Sequence, residues 1–255
     1  GDFSADKVAI IGGGPAGLSC AYYLAVTGYK PTVFEKSEEP GGMLRYGIPS
    51  YKLEKDLLAA EIDVIREMGV EIRCGVEVGK DITIEELREQ GYKGFYAAIG
   101  CQRGRKPGIT GENAEGAYTA VDFLKEAGAK ESFDLEGDVV VIGGGNVAID
   151  AARVSTRCTD AKVSMFCLEQ KSDMPASEEE IAEAQGEGIE INCGWGPKEI
   201  IEENGHVSGI VFKKCVRVFD EQGRFSPEYD EDDTVTVECS HVIFSVGQTI
   251  EWGSM

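Results

Sequence analysis

The chain has 255 residues, enough for one large domain or two ordinary ones, and its 42% hydrophobic content excludes a disordered polypeptide. A formal net charge of −21 disfavours nucleic acid and anionic membranes as partners. No apolar run of about 18 residues and no cleavable leader is found, so the expectation is a cytoplasmic protein without membrane insertion.

Two stretches carry the organisation. The first, "KVAIIGGGPAGLSCAYYLAVTGYKPTVFEK" (Lys7 to Lys36), reads as a buried strand, a glycine turn, a helix and a second strand. That is a βαβ unit, and its continuous apolar strands suit a parallel sheet covered on both faces. A loop, "SEEPGGMLRYGIPSYK", follows. The helix-spaced "LEKDLLAAEIDVIREMG" comes next and stops at Gly69. "VEIRCG" and "GFYAAIG" read as further strands. The Gly/Pro-rich "GCQRGRKPGITGENAEG" reads as a connection between domains.

The second stretch, "DVVVIGGGNVAIDAARVSTRCTDAKVSMFCLEQ" (Asp138 to Gln170), repeats the strand, turn, helix, strand order. "SEEEIAEAQGEG" then reads as a helix opened by Ser177, its early acids suiting a helix N-terminus. Strand-like alternation fills "GHVSGIVFKKCVRVF" and "TVTVECSHVIFSVG". The acidic run "EYDEDD" (Glu228 to Asp233) between them reads as a solvated hairpin tip. The expected fold class is therefore α/β, with two Rossmann-like dinucleotide-binding domains in series, the second bearing an added β-hairpin. The expected boundaries are 1–108, 109–248 and a short return at 249–255.

Gly12, Gly14 and Gly17 match G-x-G-x-x-G in its required context of strand before and helix after. The first glycine permits the tight turn, the second lets backbone approach a pyrophosphate, and the third lets helix and strand pack closely. Glu35, ending the second strand, is placed to accept hydrogen bonds from ribose hydroxyls. Gly143, Gly145 and Ala148 repeat the pattern, with Glu169 as the corresponding acid. Two such turns suggest a flavin in one site and a nicotinamide cofactor in the other, the cofactors supplying the chemistry and the protein the orientation.

Nothing else in the sequence suggests acid–base or metal chemistry. His206 and His241, the two histidines, lie in the strand-rich tail and read as ordinary strand or turn residues. The eight cysteines form no CxxC pair and no zinc or iron–sulfur spacing, which argues against a relay through a redox-active pair of that type.

"VAIIGGGPAGLSCAYYLA", "EEPGGMLRYGIPSYKL", "VVVIGGGNVAIDAAR", "MPAS", "GWGPKEI" and "SVGQT", in that order, resemble the small (beta) subunit of glutamate synthase and related flavoproteins, over essentially the whole chain. The resemblance implies an FAD domain interrupted by an NAD(P)H domain, with electrons passing from NAD(P)H to FAD and on to an iron–sulfur centre or partner subunit. It implies FAD contacts at Gly12, Gly14, Pro15, Ala16, Gly17, Glu35, Lys36, Gly42, Leu44 and Arg45. It places Val78 at adenine, and Gly100 and Gly247 where backbone passes close to or returns towards the flavin. Gly143, Gly144, Gly145, Asn146 and Val147 match the nicotinamide-cofactor turn. The family usually carries an N-terminal cysteine-rich module and a closing FAD segment, neither of which is in this sequence. The expectation is a piece of a longer protein, binding FAD weakly or not at all by itself.

Glu169 decides the expected donor. Family members using NADPH tend to place arginines at the positions of Leu168 and Glu169, and arginine suits a 2′-phosphate. A carboxylate instead accepts the 2′- and 3′-hydroxyls of NADH. Lys171 and Arg157 are the nearby cations that could still answer a phosphate. The leading reading is an FAD-dependent NADH oxidoreductase. The alternatives are an NAD(P)H dehydrogenase with another acceptor, as in a pyrimidine or oxyanion reductase complex, and a non-catalytic nucleotide-binding module.

Overall fold

The structure is a computed structural model that describes residues 6–129 and 133–253. The chain start and the last two residues, on which the expectation of flanking segments rests, lie outside the described residues. The chain divides into two compact units. One holds the residues up to Arg103 together with those from Thr249, and the other spans Gly104–Gln248.

The first unit is built on β1 (Lys7–Ile11), α1 (Pro15–Val26), β2 (Lys30–Glu35), α2 (Met43–Tyr46), α3 (Lys55–Glu67), β3 (Glu71–Cys74), α4 (Ile84–Glu89) and β4 (Tyr92–Ala97). Its four strands are parallel, in the order β3-β2-β1-β4. The apolar run of β1 divides between the two faces because side chains alternate along a strand. Ile10 packs with Ala21 of α1, Val33 and Val70. Ala9 and Ile11 face the opposite way, into a cluster with Phe34, Val78, Leu87 and Tyr92. Helix α4 opens on a capping box not anticipated from the sequence. The Thr83 hydroxyl accepts the Glu86 N–H, while the Glu86 carboxylate accepts the Thr83 N–H.

The chain passes into the second unit at β5 (Arg103–Gly104) and leaves it at β14 (Gln248–Thr249). The passage expected from the sequence lies at 108/109. Within this unit are β6 (Ala117–Thr119), α5 (Ala120–Ala129), β7 (Val139–Ile142), α6 (Asn146–Ser155), β8 (Val163–Cys167), α7 (Glu178–Gly186), β9 (Glu190–Cys193), β10 (Trp195–Glu203), β11 (His206–Phe219), β12 (Phe225–Glu238) and β13 (His241–Phe244). Five of these strands form a parallel sheet in the order β6-β13-β7-β8-β9. The three central neighbours repeat the arrangement of β2-β1-β4 in the first unit.

Three layers result. Val139, Val141, Val163, Met165 and Ile243 pack under the helices against Phe123, Leu124, Ala148, Ile149, Ile181 and Ala184. Val140, Ile142, Phe166, Val242 and Phe244 face the other way, against an antiparallel sheet of β10, β11 and β12 through Ile200, Val207, Ile210 and Phe212. Phe166 and Phe212 stack with ring centroids 4.2 Å apart, joining the two sheets.

Two expectations are corrected here. The added hairpin is a three-stranded sheet. Gly196 and Pro197 made β10 unreadable as a strand, and the pairing accommodates them with a register shift between Pro197 and Glu199. The acidic run is also not at the hairpin tip, which falls between Phe219 and Phe225. It lies within β12, where Lys214 pairs with Asp230 and Lys213 with Thr234, leaving Glu231, Asp232 and Asp233 in a bulge. Ion pairs from Lys213 to Glu231 and from Arg217 to Glu228 make a strand of such charge tolerable. Among the described residues, no helix is long and apolar enough to cross a membrane.

Candidate functional site

Both glycine turns have the same construction. In the first, Gly12 has φ 109°, and a Cβ on it would overlap the Ala98 carbonyl oxygen. Its N–H donates to the Phe34 carbonyl, while the Ala98 N–H donates to the Ile11 carbonyl. In the second, Gly143 has φ 142°, and a Cβ there would overlap the Ser245 carbonyl oxygen. The Gly143 N–H donates to Phe166 and the Ser245 N–H to Ile142. A Cβ on Gly17 would overlap the Gly12 carbonyl oxygen, which is the close helix–turn packing expected of a third glycine. In the second turn the corresponding Ala148 is fully buried in the helix-side core.

A returning loop closes each turn from above. The Gly41 N–H donates to the Gly13 carbonyl at 2.8 Å, and the Ala176 N–H donates to the Gly144 carbonyl at 3.0 Å. Gly42 has φ 54°, and a Cβ on it would sit 2.8 Å from the Gly14 Cα, so only glycine brings these backbones together. Asn146 adds a second tie, its side-chain oxygen accepting the Ser177 N–H. Lys55 supports the first loop from behind, donating to the Leu44 and Ile48 carbonyls at 2.8 and 2.6 Å.

Helices α1 and α6 start at Gly14 and Gly145 with no side-chain cap and no acid in the first turn. Helices α4 and α7, by contrast, are capped by Thr83 and Ser177 and carry acids there. An uncapped N-terminus leaves N–H donors and a partial positive charge available to an anion. Each of the two opens on a cavity. That of the first unit is about 550 Å³ and is lined by Gly12, Gly14, Pro15, Ala16, Glu35, Lys36, Gly42, Val78 and Gly100, among others. That of the second is about 410 Å³ and is lined by Gly145, Asn146, Val147 and Gly247, with Ala120, Val121, Pro175 and Phe244.

Other residues singled out from sequence lie outside those linings. Gly17 is packed beneath its turn. Leu44 packs on the cluster of Leu18, Leu58 and Ile62. Arg45 donates to the Pro40 carbonyl and pairs with Glu39 at 2.9 Å. Gly143 and Gly144 form the floor of their turn and do not line the cavity. Cavity-lining Met43, Ile99, Cys101, Ile250 and Trp252 were not singled out. They are ordinary apolar or small residues, and only the fold brings them together.

The strand-end acids differ. Glu35 is buried, and its carboxylate accepts the N–H groups of Gly13 and Ser37, both at 2.7 Å. The Glu169 carboxylate lies against Gly144, where a Cβ would be 2.8 Å from its Oε2. No hydrogen bond or ion pair reaches that carboxylate among the described residues. Arg157, one of the cations considered for a phosphate, is committed elsewhere. It donates to both carboxylate oxygens of Glu187 and to the Arg153 carbonyl.

Residues 6–251 match the pyridine nucleotide-disulphide oxidoreductase family. The chain belongs to that family. It is 38% identical to the NADP(+)-dependent formate dehydrogenase subunit beta of Moorella thermoacetica, over 97% of this chain and 36% of that protein. It is 37% identical to the glutamate synthase [NADPH] small chain of Halomonas elongata, over 94% of this chain and 53% of that one. The chain thus spans about a third to a half of the length of these relatives. Among solved structures, Mycobacterium tuberculosis FprA in complex with NADPH shares the fold, with a TM-score of 0.78 at 19% identity, over 95% of this chain and 71% of that chain.

Proposed function

We propose that the chain is the dinucleotide-binding part of a flavin-dependent oxidoreductase, with FAD in the first unit and NADH in the second. The supporting observation is the repeated site: two uncapped helix N-termini, each at a glycine turn opening on a cavity, each turn with a glutamate carboxylate against its middle glycine, from the end of β2 in one and two residues beyond β8 in the other. The bound cofactors supply the hydride chemistry, from nicotinamide to flavin. The chain's residues bind and orient. The N–H groups at the starts of α1 and α6 receive the pyrophosphates. Glu35 and Glu169 address the ribose hydroxyls, and Val78 and Gly100 form the wall of the first cavity. Electrons then leave for a partner subunit or iron–sulfur centre, as the reading of this chain as a glutamate synthase small-chain-like subunit implies.

Both named relatives carry NADP(+) or NADPH in their names. The proposal of NADH for this chain rests on Glu169. A unit negative charge about 4 Å from a 2′-phosphate charge costs up to roughly 4 kcal/mol at an effective dielectric near 20, and no ion pair to the carboxylate is formed among the described residues. Anaerobic addition of NADH to the FAD-loaded protein is predicted to bleach the visible flavin absorbance. Unchanged absorbance with both nucleotides bound would overturn the oxidoreductase reading in favour of a non-catalytic nucleotide-binding module.

A further inference from the structure

We propose that Cys167 and Cys193 are an oxidation site for peroxides, joined by them into a disulfide that weakens dinucleotide binding at the adjoining turn. The effect on binding rests on the function proposed above, whereas the oxidation does not. Cys167 ends β8 and Cys193 ends β9, and the parallel register sets them side by side. Neighbouring strands lie about 4.8 Å apart, within the Cα separation of about 4.4–6.8 Å that a disulfide spans. Their sulfurs are 3.8 Å apart, and the Met174 sulfur lies 3.9 Å from that of Cys193. The cysteines are 26 residues apart in the chain, so no short motif announces them.

The pair differs in access. Cys167 is buried and Cys193 only half-buried, so an oxidant meets Cys193 first. Burial, then the neighbouring Cys193 sulfur, push the Cys167 thiol above its ordinary range, leaving it the resolving partner. In the first step the Cys193 sulfur attacks the peroxide, the O–O bond breaks, and Cys193 becomes a sulfenic acid with release of one water. In the second, the Cys167 sulfur displaces the sulfenic hydroxyl, which leaves as water with the Cys167 proton. Two thiols lose two electrons and two hydrogens, and hydrogen peroxide is reduced to two waters.

The coupling to the turn is direct. A Cβ on Gly144 would lie 3.2 Å from the Cys167 Cβ and 2.8 Å from Glu169 Oε2, so the cysteine and the acid bear on the same glycine. The Cys167 thiol donates to the Glu169 carbonyl, which also accepts the N–H of Gly194, the residue after Cys193. Drawing the sulfurs together removes the thiol donor and pulls the end of β8 towards β9. Glu169 is displaced from its place beside Gly144.

The test treats the 255-residue chain with hydrogen peroxide, blocks remaining thiols, and maps linked peptides by mass spectrometry without reduction. NADH affinity is measured on the reduced, oxidised and dithiothreitol-restored protein. The expected result is a Cys167–Cys193 linkage, about tenfold weaker NADH binding, the loss of one good hydrogen-bonded contact, and recovery on reduction. Cys193→Ser should show neither the linkage nor the loss. Absence of the linkage overturns the oxidation site. A linkage with unchanged NADH affinity, or a loss of affinity that persists in Cys193→Ser, overturns the coupling. Failure of the reduced protein to bind any nicotinamide dinucleotide overturns the proposed function and the coupling together, while the linkage still decides the oxidation site.

Discussion

Glu35 is the last residue of β2, whereas Glu169 lies two residues beyond β8, whose last residue, Cys167, holds the register position of Glu35; the two carboxylates have different surroundings. The two oxygens of Glu35 are already engaged by the Gly13 and Ser37 N–H groups, which fix its rotamer beside the turn. Each carboxylate oxygen has a second lone pair, so the group keeps the capacity to accept from the ribose of the proposed dinucleotide while acting as a brace. Among the described residues no N–H braces the Glu169 carboxylate, and in the proposed reading its charge selects between the two nicotinamide cofactors. Glu169→Arg is therefore predicted to invert the preference, shifting the ratio of NADPH to NADH affinity by at least about tenfold. Equilibrium titration of both cofactors measures this, and an unchanged ratio would remove Glu169 from the account. Lys171 is the remaining nearby cation of those considered, since Arg157 is occupied by Glu187.

At the scale of elements, α6 and α7 are joined by a charge cluster beneath the second turn. Arg153 is buried, donating to Glu183 and to Glu187, and Arg157, in the turn just after α6, adds to Glu187. Hydrogen bonds from Arg157, then from Arg153, hold the Glu187 carboxyl down at about 2. A group whose folded pKa is depressed stabilises the fold above its unfolded value and loses that contribution as pH falls through the folded one. The stability difference between the protein and Glu187→Gln should thus be constant above about pH 4.5 and shrink as pH falls towards about 2. Urea denaturation across that range checks it, and a pH-independent difference would contradict it. The two βαβ segments were legible in the sequence because glycine spacing, apolar strands and a terminal acid report local geometry. The β10 strand was hidden by Gly196 and Pro197, whose ladder defects are absorbed by register shifts. Helix α4 carries a readable signal of its start in Thr83, three residues before Glu86. The acidic run was misplaced because cross-strand lysines and arginines, distant in sequence, make its strand tolerable. Which atoms satisfy Glu35, and that Arg157 is spent on Glu187, depend on contacts 22 and 30 residues apart. No local pattern carries such contacts.

At the scale of the whole molecule, one design is used twice. Each unit has a parallel sheet, a glycine turn whose first residue lies under a carbonyl from the next strand's exit, and a returning loop bonded to the middle glycine. The second unit adds an edge strand and a three-stranded antiparallel layer, held through Phe166 and Phe212. In the proposed reading, this duplicated turn, with its carboxylate differently placed in each unit, lets one chain hold two different dinucleotides. That the sites are separate and unlike is tested most directly by titrating FAD into the protein with and without saturating NAD+, the oxidised nucleotide, which cannot reduce the flavin. The expected FAD dissociation constant is unchanged by NAD+, with both nucleotides bound to the same chain. Displacement of one by the other would contradict it.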